Sequence, residues 1–495
     1  MSERLLGIDI GTTGVRAAIF DASGAMQADA SAKSSYDAPS PGFAETDADR
    51  FWQATKTVLA DLASQTTLAG VRAIAVVGQA PTAVLVDADG APIAPAILWL
   101  DTRASAEATE LGEQAYYLGP KLLWLARHQR ASLERARFIL QSHAFVAQRL
   151  TGEVATDLST ATLARPLFDF AKRAWNEEAC ARIGIRLEQL PPIKRASDTL
   201  GAVTDRAAKE TGLRAGTPVL AGGGDFAAAT LGAGVVDEGE ACLMLGTAGN
   251  ILVPRSTPGT DVRLINAHHV GADRWLSLGG VLSGGAQEWL RHALVRGMSE
   301  DTAVRGALPS FATLDAEAEH IQPGSDGLLF LPYLQGERSP IWDVDARGAY
   351  VGLGLHHGRG HLWRALLEGI ALGFADCQGV LADDGVILRD VVAANGGGKS
   401  ALFRQILCDT LGVPLAYAPG APGTVAGAAL VAALGAGVLA DASEARAWRG
   451  SVVRHEPNRA ATERYRELLH LRREAYRGLK PVFSGLAPLR NVDSE

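Results

Sequence analysis

Two stretches of this chain run a strand pattern into a Gly-Thr turn: Ile8-Asp9-Ile10-Gly11-Thr12-Thr13-Gly14 and Leu243-Met244-Leu245-Gly246-Thr247-Ala248-Gly249. The amides and hydroxyls of such a turn can hold phosphate oxygens, which makes Gly11, Thr12, Thr13, Gly246 and Thr247 candidate phosphate contacts. A Gly-Thr turn is also ordinary hairpin chemistry; the recurrence near the middle of the chain is what points to function. Only the first copy carries a carboxylate, Asp9, where the second has Met244. A carboxylate beside phosphates needs a cation between them, so the pair predicts a Mg²⁺–nucleotide site with Asp9 on the metal side, through water.

Two glycine runs add to this. Ala221-Gly222-Gly223-Gly224-Asp225 follows an apolar strand, Pro218–Leu220, and precedes an Ala-rich helix, 226–231. Bare backbone there lets a substrate approach an Asp at the helix start, the geometry a general base requires; an N-cap Asp after a loop is the competing reading. Ala394-Asn395-Gly396-Gly397-Gly398-Lys399-Ser400 contains Gly-Lys-Ser, but Ala393 stands where a phosphate-binding P-loop needs its first glycine. Placed between strand 391–394 and helix 401–411, this run suits a flat platform for a nucleotide base or ribose. No G-x-G-x-x-G follows the first strand, which argues against a dinucleotide-binding dehydrogenase.

The elements that must position these residues read as α/β. Strands at 5–10, 15–20, 71–77 and 83–87 alternate with a helix carrying Phe51, Trp52, Val58, Leu59 and Leu62. The internal repeat predicts two similar halves joined near 232–240 and facing each other across a cleft. The expected division is 1–236, a second domain 237–480, and a tail 481–495, with 484–495 disordered. The 495 residues, 47% apolar and 21% charged, suit two or three folded domains. A net charge of −8 without a basic stripe excludes nucleic acid and anionic membrane as partners. The four cysteines form no metal-ligand spacing and are expected as buried free thiols. The charged N-terminus shows no signal peptide, and the longest apolar run, 427–440, is too short to span a bilayer, so a cytoplasmic protein is expected. His268-His269 and His356-His357 lack helical ligand spacing and are assigned structural or solvent roles. Trp52, Trp124, Trp289 and Trp363 are assigned to the core. The segment 458–477 reads as an amphipathic helix docking on the second half.

Together these residues resemble the FGGY carbohydrate kinases, over about residues 5–475. One family signature is read in Gly348-Ala349-Tyr350-Val351-Gly352-Leu353 followed by His361–Glu368, the other around Lys121–His128, with Leu118 where the family usually has Pro, Ser or Thr. The resemblance implies an α/β fold of two ribonuclease-H-like (actin, hexokinase, sugar kinase ATPase) domains. It implies ATP and Mg²⁺ as cofactors and a small-molecule sugar or polyol as partner, and leaves a homodimer open. It also implies roles: Asp225 as catalytic base, Asp9 beside the metal, Thr12, Thr13 and Thr247 around the phosphates, Gly396 and Gly397 under the adenosine. Trp99 and Asp101 lie in the family's W-x-D-x-R segment near the sugar.

The nearest type within the family is the bacterial xylulokinases, from which this chain departs in two places. Gly78-Gln79 is followed by Ala80-Pro81 where that type has Met-His, and the residue after Asp225 is Phe226 where the family often has Asn or Gln. Gln79, Ala80, Pro81 and Phe226 are thus candidate acceptor contacts, two of them apolar where polar groups are usual. An unpaired substrate hydroxyl there would cost roughly 1–3 kcal/mol, so the acceptor is D-xylulose by default, with ribulose, a polyol, a sugar acid or a modified sugar as alternatives. A nucleotide-gated clamp on the same two-domain frame is the reading from another class.

Overall fold

In the computed structural model, residues 3–294, 308–419 and 423–489 are described. The elements that matter for the site are, in chain order, β1 (Arg4–Ile10), β2 (Gly14–Asp21), β3 (Met26–Lys33), α1 (Asp49–Gln65), β4 (Val71–Gly78), α2 (Leu118–His128), α3 (Ser142–Thr151), α4 (Leu158–Ala161), β5 (Thr199–Ala202), β6 (Pro218–Leu220), β7 (Gly223–Gly224) and α5 (Asp225–Gly232). There follow β8 (Glu240–Leu245), β9 (Ala248–Arg255), β10 (Trp275–Leu282), α6 (Gly284–Ala293), α7 (Arg359–Asp383), β11 (Asp390–Ala394), α8 (Ala401–Leu411), β12 (Leu415–Tyr417), α9 (Thr424–Gly435), β13 (Val453–His455) and α10 (Arg459–Leu486).

The chain packs as two compact units. The first comprises Met1–Val236, Asn266–Leu276 and Ala421–Gly450; the second comprises Asp237–Ile265, Ser277–Gly420 and Ser451–Glu495. Where the sequence predicts a single break near 236, the first unit thus takes back a late segment as well. The reason is α9, whose Val425–Ala433 stretch is buried on every side, the mark of a helix inside a core. Its fit is glycine-dependent: a Cβ on Gly427 would lie 1.8 Å from the Ala228 carbonyl oxygen, and one on Gly7 2.3 Å from that of Val425. Alanine at 427 gains about 1 kcal/mol of helix preference but costs about 3 kcal/mol of overpacking. Gly427→Ala is therefore expected to lower stability by about 2 kcal/mol, read from the midpoint of chemical denaturation; an unchanged midpoint would show that the α9 packing gives way freely.

The predicted repeat is present as topology. The first sheet runs β5-β6-β4-β1-β2-β3, and the second contains the order β13-β12-β11-β8-β9-β10. In each, the strand before the Gly-Thr turn pairs antiparallel with its hairpin partner and parallel with the strand on its other side: β1 with β2 and β4, β8 with β9 and β11. The edge strand is antiparallel in both. Each unit has its own apolar core, β1, β2, β4, α1 and α3 in the first, β8, α7, α8 and α10 in the second.

Three expectations need correction. Trp289 is 43% exposed, stacked over Phe330 at the edge of the second core, while Trp52 and Trp363 are buried and Trp124 half-buried. The tail is not separate: α10 continues to Leu486, and Phe483 is buried in the second core; of the remainder, 490–495 lie outside the described residues. Among the described residues one helix, α7, has the length and apolarity of a membrane span, and 83% of that stretch is buried inside the second unit. All four cysteines are buried free thiols.

Candidate active site

In the first unit, three strands end side by side. Ile10 on β1 and Gly224 on β7 are both register partners of Gly78 on β4, so Gly11, Gln79 and Asp225, the residues that follow them, leave the sheet at one place. Gln79 donates its amide to the Ile10 carbonyl at 2.9 Å, and Asp9 lies beside Val77 one step back. Glycine makes this convergence possible. Gly222 has φ +74°, and a Cβ there would sit 1.8 Å from the Val76 carbonyl oxygen.

The two carboxylates are electrostatically unusual. Burial and the neighbouring Asp225 charge push the Asp9 carboxyl up to about 8, against a smaller opposing pull from Arg16. Burial pushes Asp225 up to about 6, and the Phe226 amide, donating to its Oδ1 at 2.7 Å, partly offsets this. Asp9 Oδ1 is buried with no hydrogen-bond partner. A carboxylate oxygen left unpaired in this way costs free energy unless something else satisfies it, and a cation fits. Among the described residues no three metal-ligating side chains gather, so that cation would be one content with a single carboxylate, water and phosphate oxygens, as Mg²⁺ is.

Around them the sequence-predicted wall assembles in part. Trp99 Nε1 donates to Thr12 Oγ1 at 2.9 Å, and Thr12 in turn to Gln79 Oε1 at 3.4 Å. Thr13 is exposed. Asp101 does not join them: it is fully buried, accepts the Ala44 amide at 2.6 Å, and holds Arg103 through both oxygens. Its carboxylate is committed to these partners, and Arg103 in turn pairs with Glu45 at 2.7 Å and lies over the Phe43 ring. Phe226 is 7% exposed and its ring lies over Gly224, 2.5 Å from where a Cβ would be. Ala80 and Pro81 are buried as well.

Tyr116, which the sequence reading passed over, and Lys121, read there only within a signature, complete this wall. Tyr116 donates its hydroxyl to the Ala80 carbonyl at 3.0 Å and meets Trp99 edge-on at 6.3 Å. Lys121, fully buried, donates to the carbonyls of Tyr116 at 3.0 Å and Trp99 at 3.3 Å. Burial pushes its ammonium down to about 7. Lys121 was legible as part of a signature but not as the side chain that ties these two aromatic residues together.

In the second unit, Gly246 and Thr247 form the turn between β8 and β9, with Thr247 exposed. Gly397 packs against it: a Cβ there would lie 2.8 Å from the Cβ of Leu245. Gly396 is exposed and Gly398 lies against the Tyr417 ring, with Arg404 holding its carbonyl at 2.6 Å. The structure thus brings Gly246, Thr247, Gly396 and Gly397 to one place. It adds Ser283-Gly284-Gly285, where the Gly284 and Gly285 amides donate to the Gly246 and Thr247 carbonyls at 2.9 and 3.0 Å. Their signal was available: a Ser-Gly-Gly run between a strand and a helix, placed as the Gly-Gly-Gly runs at 222–224 and 396–398 are.

The family model for the N-terminal domain of the FGGY family of carbohydrate kinases matches residues 4–232, and that for the C-terminal domain matches 241–436. A xylulose kinase of Escherichia coli (strain K12) is 33% identical over 87% of this chain and 90% of its own length. A gluconokinase of Bacillus subtilis (strain 168) is 26% identical over 95% of this chain and 94% of its own. The crystal structure of xylulose kinase from Rhodospirillum rubrum, 32% identical, superposes over 97% of this chain and 100% of its own with a TM-score of 0.87. These likenesses and the duplicated sheet order agree with the expected pair of actin-like ATPase domains. The chain belongs to the FGGY family of carbohydrate kinases, and is itself a carbohydrate kinase.

Proposed function

We propose that this kinase transfers the γ-phosphoryl group of ATP to a hydroxyl of a ketopentose such as D-xylulose, with Asp225 as the general base. The observation that carries the reading is the Asp9–Asp225 pair at the converging strand ends, one carboxyl raised to about 6 and the other bearing an unpartnered buried oxygen. A base of pKa near 6 is ionised at neutral pH yet can still take a proton as the acceptor oxygen becomes nucleophilic. The acceptor O–H proton passes to Asp225, the oxygen forms its bond to the γ-phosphorus, and the bond from that phosphorus to the bridging oxygen breaks, leaving ADP. Asp9 would hold Mg²⁺, which neutralises phosphate charge when bound. In the first unit Gly11, Thr12 and Thr13 offer phosphate contacts. In the second, Gly246 and Thr247 do the same, and Gly396 and Gly397 support the adenosine. Gln79 and Trp99, fixed through Thr12, line the acceptor side, with Ala80, Pro81 and Phe226 as its apolar backing.

The identity of the acceptor rests on the xylulose kinase relatives, against which stand the gluconokinase relative and the loss of Met-His at 80–81. Coupled ADP release across ketopentoses, gluconate, glycerol and tetritols decides it. The expected result is kcat/KM for a ketopentose at least about tenfold above gluconate and glycerol, the discrimination worth one good hydrogen bond. A preference for gluconate would move the acceptor to the sugar acids, and ATP hydrolysis indifferent to every sugar would favour the clamp.

A further inference from the structure

The glycine turn that carries Asp225 has no side chains of its own to fix it, yet the catalytic geometry demands a fixed carboxylate. We propose that Ser159, oriented by Asp157, is the positioning residue that sets this turn and through it the Asp225 carboxylate. The inference rests on Asp225 being the base.

The Gly224 amide, one residue before Asp225, donates to Ser159 Oγ at 2.9 Å. A serine hydroxyl can rotate, so its lone pair is aimed only if its proton is committed elsewhere. Here the proton is committed to Asp157 Oδ2 in a short hydrogen bond. Asp157 is itself pinned at the start of α4, where its carboxylate also accepts the Ser159 amide at 2.6 Å and the Thr160 hydroxyl at 2.5 Å. The direction of the bond to Gly224 is therefore set from the start of α4. Ser159 and Asp157 are both buried, at 0% and 1% exposure, so water cannot substitute for either.

The same cluster confines the turn sterically. A Cβ on Gly223 would lie 3.0 Å from Asp157 Oδ2 and 3.1 Å from Ser159 Oγ. Behind Asp157 stands His143, fully buried, its Nε2 3.5 Å from Asp157 Oδ1. The adjacent Ser142 donates to the Gln79 carbonyl at 2.9 Å. The start of α3 thus backs both the Asp157–Ser159 pair and the Gln79 turn.

The test is Ser159→Ala, which removes one atom, beside Ser159→Thr, which keeps the hydroxyl, with Asp225→Asn as the reference for loss of the base. Thermal melting checks that each folds. Expected for Ser159→Ala is a kcat lower by about 100-fold, the scale of a base displaced by about an ångström, with KM for ATP and acceptor within about threefold and kcat largely retained by Ser159→Thr. A kcat for Ser159→Ala near the wild-type value, with Asp225→Asn inactive, would overturn this inference alone. KM values rising with the fall in kcat, or Ser159→Thr as impaired as Ser159→Ala, would reduce Ser159 to a packing residue. Turnover surviving in Asp225→Asn would remove the base, and this inference with it.

Discussion

Asp225→Ala is expected to lower kcat by about 1,000-fold while leaving ATP affinity within a few-fold of wild type, a loss of about 4 kcal/mol of transition-state stabilisation. General bases contribute 10²–10⁴-fold in typical enzymes, and the other carboxylate at the strand ends, Asp9, is raised to about 8 and would stand with the metal. The nucleotide-contact candidates Gly246, Thr247, Gly396 and Gly397 belong to the second unit, so the substitution has no route to them within its own sheet. The pH profile gives an independent check. Asp225 must be deprotonated to accept the acceptor's proton, so wild-type kcat/KM should fall as pH drops through about 6. The residual rate of Asp225→Ala should lack that limb. Stopped-time ADP release at saturating Mg-ATP between pH 5 and 8 measures both. Near-normal turnover in the variant, or an identical acid limb in both proteins, would show that the proton goes elsewhere.

What could be read from the sequence and what could not divide along one physical line. The hairpins at 5–20 and 241–254, the glycine turns before Asp225 and after Ala394, and the helix at 401–411 are written in local period and composition, and the structure places them within a residue or two of the reading. The recurrence of Gly-Thr after two strands was enough to foresee two similar halves, because each such turn closes a hairpin and so fixes the pairing of its two strands. Long-range partnerships leave no such mark. Nothing near Asp225 in sequence announces Ser159, whose hydroxyl reaches Gly224 from 65 residues away. Asp101 carried the type of an acceptor contact, but its partners Ala44 and Arg103 are known only once the chain is folded. Phe226 was correctly seen as apolar, yet the direction of its ring, back over Gly224, is a packing outcome. The return of α9 to the first unit follows from an all-round apolar helix needing a core, but which core is settled by glycine contacts with β1 and α5.

Asp9→Asn should have two effects of opposite sign. Turnover should fall by at least about 100-fold, because an amide oxygen holds a divalent cation poorly where phosphate charge must be offset. Stability without nucleotide should rise. The Asp9 carboxyl titrates at about 8 in the folded chain against 3.8 as the reference value. Between those values the folded state holds a proton that the unfolded state has released, so stability is lost as pH rises from about 4 to about 8 and the full penalty stands above 8. Asparagine does not titrate and escapes it. The variant's Tm should therefore exceed that of wild type by roughly 5 °C at pH 8, and the gap should close towards pH 4, where both side chains are neutral. Mg-ATP should narrow the gap at pH 8, since a bound cation favours the ionised carboxylate of the wild type alone. A gap that does not change with pH would mean that Asp9 is not held protonated by its surroundings. A wild type more stable than the variant at pH 8 would mean that its unpaired oxygen is satisfied by the fold itself, and the case for a cation beside it would fail.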